Sequence, residues 1–230
     1  MAQRSIYIPD LEKVGVTVKK IDFQWYPGMA KVQKQRSISS LHEEGEKHGI
    51  SPILEISSKS KDDLGIKLSA FNLFFTTQKY KQTLSVEAAF QGSKVFEHGG
   101  PFQDLYSKSS REAKKDIRLK ESGNLICFQF FGITFDLKPR TLFYDWLYIN
   151  ALLKNKNLGN FLTKYKGFTD IEFNPKKSIN CQAYSAALYV SLIENNISTK
   201  SLKSPDEFLM ATKEEYKKYH NSRHVQSTLV

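Results

Sequence analysis

An α+β fold, predominantly helical and forming a single domain with short strands near its N-terminus, is what this 230-residue sequence predicts. Strand-like pieces are confined largely to the first sixty residues, and helical three- and four-residue spacing dominates after them. No internal repeat, low-complexity linker or composition break divides the chain. Sixteen Phe and eleven Tyr point to a core built mainly on large rings.

Taken in order, "IYIPD", "VTVKKIDFQW" and "ISPILEIS" read as strands, with a helix from about Met29 to Lys47 between the last two. Gly49 supplies the stop signal for that helix. After the polar turn "SKSKDDLG", the apolar "IKLSAFNLFF" reads as a buried strand running into an irregular loop. Ser85 is placed to cap a helix over "VEAAFQGSKVF", with Glu87 in the first turn, where the helix dipole favours a carboxylate. Gly99, Gly100 and Pro101 close that segment.

A helix over "SKSSREAKKDIRLKE" ends at Gly123, a third follows Thr141 over "LFYDWLYINALLKN", and a fourth follows Ser178 over "INCQAYSAALYVSLIENN". The last helix, "SPDEFLMATKEEYKKYH", opens with a capping box of Ser204 and Glu207 and with Pro205 in its first position. The final ten residues are expected to fray.

Thirty-four Lys and Arg against 24 Asp and Glu give a net charge of +10, which favours a polyanionic partner over an acidic protein. The N-terminal "MAQRSIYIPD" lacks a signal-peptide core, and "LICFQFFGITF" is too short to span a bilayer, so a cytoplasmic protein is expected, with no membrane partner. Cys127 and Cys181 stand apart, without the spacing of a disulfide framework or a metal site, and read as buried thiols; neither metal nor cofactor is expected. The chain has no Walker A loop and no GxGxxG fingerprint, which argues against NTP hydrolysis and Rossmann dinucleotide binding.

Four constellations carry candidate chemistry. In "SVEAAFQGSK", helical spacing aligns Glu87, Gln91 and Lys94 between apolar flanks, as a pocket wall or as a solvated face with its own ion pair. Upstream, "LSAFN" sets Ser69 and Asn72 in a loop suited to ligand contact. Lys108, Arg111, Lys115 and Arg118 fall on one face of their helix, a stripe that suits phosphates or plain solvent. In "FYDWLYIN", Asp145 can orient a ligand or a lysine and Trp146 offers a stacking surface, although a buried Asp more often satisfies a structural partner. "TDIEFNPKKSIN" gathers Asp170, Glu172, Asn174 and Asn180 in a loop that enters a helix N-terminus, a place that favours phosphate; an Asn-Pro turn explains it equally well.

Together, "LSAFN", "SVEAAFQGSK", "FYDWLYINAL" and "GFTDIEFNPKKSINCQ" make the chain resemble the NADAR family, within the YbiA-like superfamily, and specifically the branch found beside DarT-type DNA ADP-ribosyltransferase toxins. The resemblance runs from "FQWYPG" through the helix after Asn180. It implies a NADAR-like fold in which residues 61–230 form the catalytic core and residues 1–60 a strand-helix extension packed on it. It implies a hydrolase of N-glycosidic bonds that acts as an antitoxin and removes ADP-ribose from guanine in DNA.

By motif match, Glu87 and Lys94 carry catalysis with Asp145, while Ser69, Phe71, Asn72, Gln91, Trp146, Asp170, Phe173, Asn174 and Asn180 contact substrate. The chain departs from the shorter relatives in having Ala70 ahead of Phe71 and Asn72. Such chemistry needs a group that stabilises a developing oxocarbenium or an opened ribose and a proton donor for the leaving nitrogen, which a glutamate and a lysine can supply. In that reading Glu87 is the acid/base, Lys94 forms a Schiff base or acts through its charge, and the basic stripe steers ADP-ribosylated DNA. Alternatives are a YbiA-like N-glycosidase acting on a riboflavin-pathway intermediate and a non-catalytic module that binds modified nucleic acid or the toxin.

Overall fold

The computed structural model describes residues 1–175 and 178–224, with side chains described through Lys218. Strands β1 (Ala2–Pro9) and β2 (Val16–Phe23) form an antiparallel hairpin, and helix α1 (Lys31–Lys47) packs against β2. Strand β3 (Ile53–Glu55) completes the N-terminal elements. Their sheet is closed from far along the chain, because β9 (Gly167–Thr169) inserts between β1 and β3, antiparallel to the first and parallel to the second. A boundary at residue 60 therefore cuts through one sheet.

The segment "IKLSAFNLFF" differs from the expected buried strand. Asp62 caps a short helix, α2 (Asp63–Lys67), by accepting from the Leu64 N–H, and only Phe74–Thr76 extends, as β4 paired with β5 (Thr83–Ser85). Between them Ser69 Oγ and Asn72 Nδ2 both donate to the Ile66 carbonyl, which holds residues 68–72 in a compact turn.

Helix α3 (Val86–Gly92) starts where expected, with Ser85 Oγ accepting from the Ala88 N–H, but it ends four residues early. Ser93 bonds back to the Ala89 carbonyl, and Lys94–Phe96 leaves as strand β6, pairing with β7 (Leu125–Phe130). Hairpin β7–β8 (Ile133–Phe135) turns at Phe131 and Gly132, both at positive φ, in the geometry that suits the twist of two-residue hairpins. This three-stranded sheet occupies the apolar run of residues 125–135.

The expected continuous helix over "SKSSREAKKDIRLKE" is two pieces, α4 (Ser110–Lys115) and α5 (Arg118–Glu121). Ser109 and Glu112 form a capping box that fixes the start of α4, and Asp116, whose ψ of 127° leaves the helical conformation, ends it. The basic stripe is broken as a result. Lys108 precedes the cap, Arg111 and Lys115 are exposed on α4, and Arg118 is held by Asp116 at 2.8 Å and Asp104 at 2.7 Å.

Helices α6 (Leu142–Lys154) and α8 (Gln182–Glu194) form the centre and pack on each other. Every residue from Leu142 to Leu152 is buried, as expected of a helix that is apolar on all sides. Its rings join Phe90, Phe128, Phe130 and Phe135 in one aromatic cluster. Helix α8 begins at Gln182, not just after Ser178, and covers β1 and β9. Helix α7 (Lys156–Leu162) follows α6, and α9 (Pro205–His224) closes the fold, with Ser204 Oγ accepting from the Glu207 N–H. Residues 221–224 continue that helix; the rest of the tail expected to fray lies outside the described residues. Cys181 is buried, whereas Cys127 is only half-buried, on β7. No helix among the described residues is long and apolar enough to cross a membrane.

Candidate active site

Glu87 sits in the first turn of α3 with only 5% of its surface exposed. A buried carboxylate needs compensation, and two side chains supply it. Gln91, one turn on, donates Nε2 to Glu87 Oε1 at 2.9 Å, and Lys114 on α4 brings its ammonium to 3.5 Å of the same oxygen. Lys114 also lies 4.9 Å above the Phe71 ring, so the Ser69–Asn72 turn and α4 meet over the carboxylate.

Lys94 comes to this group from β6, not from the helix. Its Nζ lies 5.0 Å from the centre of the Phe90 ring. Burial, with Lys114 nearby, lowers its pKa to about 8 even though Glu87 favours the charged form. An amine in that range is neutral often enough near physiological pH to act as a nucleophile.

Tyr144 of α6 stands edge-on to Phe90 and feels the charges of both Glu87 and Asp170, so the loop after β9 belongs to the same region. Asp170 accepts from the Glu172 and Phe173 N–H groups at 3.0 and 3.1 Å, which folds the loop into a turn. Burial and the neighbouring Glu55 carboxylate push Asp170 well above the usual carboxylate range. Glu55 accepts from Thr169 Oγ1 and the Ile171 N–H, fixing that loop to β3. Gln182, at the start of α8, couples the loop to the Ser69 turn: its Oε1 accepts from the Ala70 N–H at 2.7 Å and its Nε2 donates to the Ile56 carbonyl. The Glu87 N–H in turn donates to the Ala70 carbonyl.

Of the buried acceptors that have no hydrogen-bond partner among the described residues, two are Gln91 Oε1 and Asn180 Oδ1. Both belong to residues singled out from the sequence as ligand contacts. Phe173 is half-buried against the main core, and the Asn174 carbonyl accepts from the Ser178 N–H. Among the described residues no group of three or more His, Cys, Asp or Glu is placed to hold a metal ion.

Several sequence candidates lie elsewhere. Asp145 is buried in the contact of α6 with α8 and α9, accepting from Ser185 Oγ at 2.6 Å and from the Tyr216 hydroxyl at 3.0 Å, which is a packing role and not an open site. Trp146 meets Phe130 edge-on and Phe135 at a tilt, and lines a separate groove that includes none of Ser69, Glu87, Gln91 or Lys94. The cation that does meet Glu87 is Lys114, one residue away from the expected stripe. The signal that finds it is the Ser109–Glu112 capping box, which sets the phase of α4.

A model of the family described as DarT1-associated NADAR antitoxin matches residues 2–222. No curated protein matches the chain.

Proposed function

The chain belongs to the DarT1-associated NADAR antitoxins, and from that premise we propose that it is a hydrolase that removes ADP-ribose from guanine bases of DNA. The observation that carries this reading is the buried Glu87 carboxylate, clamped by Gln91 and Lys114 and flanked by the Lys94 amine. A buried acid and a desolvated amine within each other's electrostatic reach suit cleavage of an N-glycosidic bond.

In the proposed sequence, Glu87 takes a proton from the Lys94 ammonium, and the freed amine attacks the anomeric carbon of the ADP-ribose. The bond from that carbon to the guanine nitrogen breaks and the proton passes to the departing guanine; a second proton then moves from the bound Lys94 nitrogen to the ring oxygen as the bond from the anomeric carbon to that oxygen breaks, leaving the opened ribose as an imine on Lys94. Water hydrolyses the imine, releasing ADP-ribose and restoring the amine. Lys114 holds Glu87 in place and presents a cation to the diphosphate. The free acceptors on Gln91 and Asn180 receive substrate donors. Ser69, Phe71, Asn72 and the Asp170–Asn174 loop, with Phe173, shape the pocket around them.

Incubating the protein with an oligonucleotide carrying ADP-ribosylated guanosine, read by mass, tests the reading. Wild type should return the mass to that of the unmodified strand, and Lys94→Ala and Glu87→Gln should not. Release by Lys94→Ala at the wild-type rate removes that residue from the reaction. Borohydride added during turnover should leave a covalent adduct on wild type only.

A further inference from the structure

A groove with a volume of about 910 Å³ is lined by Phe130 of β7, by Phe131 and by Ile133 of β8, and its wall chemistry differs from that of the Glu87 site. Four lysines, Lys79, Lys154, Lys156 and Lys203, line it, and no Asp or Glu does. Among the described residues none of the four is paired with a carboxylate. Burial, and then the nearby Lys203 ammonium, lower the Lys154 pKa, an arrangement that an incoming anion relieves.

Between the cations are aromatic faces. Tyr80 stacks on Phe131 with ring centres 4.7 Å apart and planes 17° apart, and Tyr80 and Phe74 each remain 51% exposed. The walls are tied together, because Lys154 Nζ donates to the Thr76 carbonyl and Asn155 Nδ2 to the Phe74 carbonyl, fixing the β4–β5 hairpin to the end of α6. The expected DNA stripe on α4 is broken, so this groove is where unpaired cations and exposed rings coincide.

We propose that this groove binds a stretch of single-stranded DNA beside the base being repaired, with lysines on its phosphates and Tyr80 and Phe74 stacking its bases. The choice of DNA over another polyanion rests on the reading of the chain as a DNA hydrolase. A single strand is favoured over a duplex because only unpaired bases can lay their faces on these rings. Unpaired lysines with no acid among them follow a phosphate backbone.

Fluorescence anisotropy with a labelled, unmodified oligo(dT) strand tests the groove without any turnover. Tyr80→Ala should weaken binding roughly tenfold, the scale of losing one stacked base. The double variant Lys154→Ala/Lys203→Ala should flatten the dependence of log K on log salt by about 1.4, or 0.7 for each cation on a single strand. A duplex of the same length should compete poorly. Unchanged affinity and salt slope in both variants, or equal competition by the duplex, overturns the proposal. Groove variants that lose binding in a protein that never releases ADP-ribose would leave the groove standing and refute the proposed hydrolase instead.

Discussion

Replacing Lys94 with Met separates the stability of the site from its chemistry. The lysine stem is partly buried over Phe90, and a thioether of similar length fills the same space without a charge. Holding the Lys94 pKa at about 8 instead of 10.5 means that the fold disfavours the ammonium by about 3 kcal/mol, at about 1.4 kcal/mol per pH unit. Between pH 8 and 10.5 the unfolded chain binds the proton and the folded one does not, so wild-type stability rises across that window. Below about pH 8 the full penalty is present, and above 10.5 it is gone. Lys94→Met should therefore be more stable than wild type by about 1–3 kcal/mol at pH 7, after loss of the attraction to Glu87, and the gain should vanish above pH 10.5. Urea titrations at pH 7, 9 and 10.5 measure it. The rate of ADP-ribose release by wild type should hold steady below pH 8 and fall above it with a midpoint near 8, since the proton that Lys94 hands to Glu87 and that the departing guanine takes is then lost to solvent. A stability difference that does not change with pH, or a rate that rises through pH 8, refutes the assignment.

Two further outcomes follow from the geometry. Asp145→Ala leaves the Ser185 and Tyr216 hydroxyls unpaired in the core and should lower stability by about 2–4 kcal/mol, while kcat of the folded protein stays as in wild type; a large loss of kcat with folding intact would return Asp145 to the reaction. Lys114→Ala removes the cation 3.5 Å from Glu87 and should lower kcat/KM about tenfold or more. Lys115→Ala, on the same helix, should change it less than about twofold, and equal effects from the two would contradict the orientation of α4.

The parts of the fold that could be read from the sequence are those set by local chemistry. Ser85, Pro205 and the apolar spacing of residues 142–154 mark helices because capping and burial act within a few residues. Strands β6 to β8 were hidden, because an apolar run such as residues 125–130, with Leu, Ile, Cys and Phe at successive positions, does not reveal its period, and its partner strand lies thirty residues upstream. The insertion of β9 between β1 and β3 depends on a contact more than a hundred residues long, which no window of sequence reports. Asp145 misled for a related reason: a carboxylate in an apolar helix looks the same in sequence whether it faces a cavity or two hydroxyls from α8 and α9. Gln182 went unremarked at a helix start, yet it joins the two loops of the site.

Glu87 and Lys94 show most sharply where periodicity stops being a guide. Had α3 continued, seven residues would separate them by about 10 Å along the helix axis, too far for a proton to pass directly. The helix instead ends at Gly92. A Cβ there would lie 2.6 Å from the Tyr106 ring and 3.1 Å from the Phe102 carbonyl, so only glycine lets Tyr106 close over the helix end, where its hydroxyl meets Ser93 Oγ at 3.0 Å. The chain then turns into β6, where Lys94 still feels the Glu87 charge from the sheet, while Gln91 and Lys114 hold the carboxylate from the helices. Helical spacing put Glu87 and Lys94 on one face, but their relation in the fold depends on the helix breaking between them, and that break is set by packing against Tyr106.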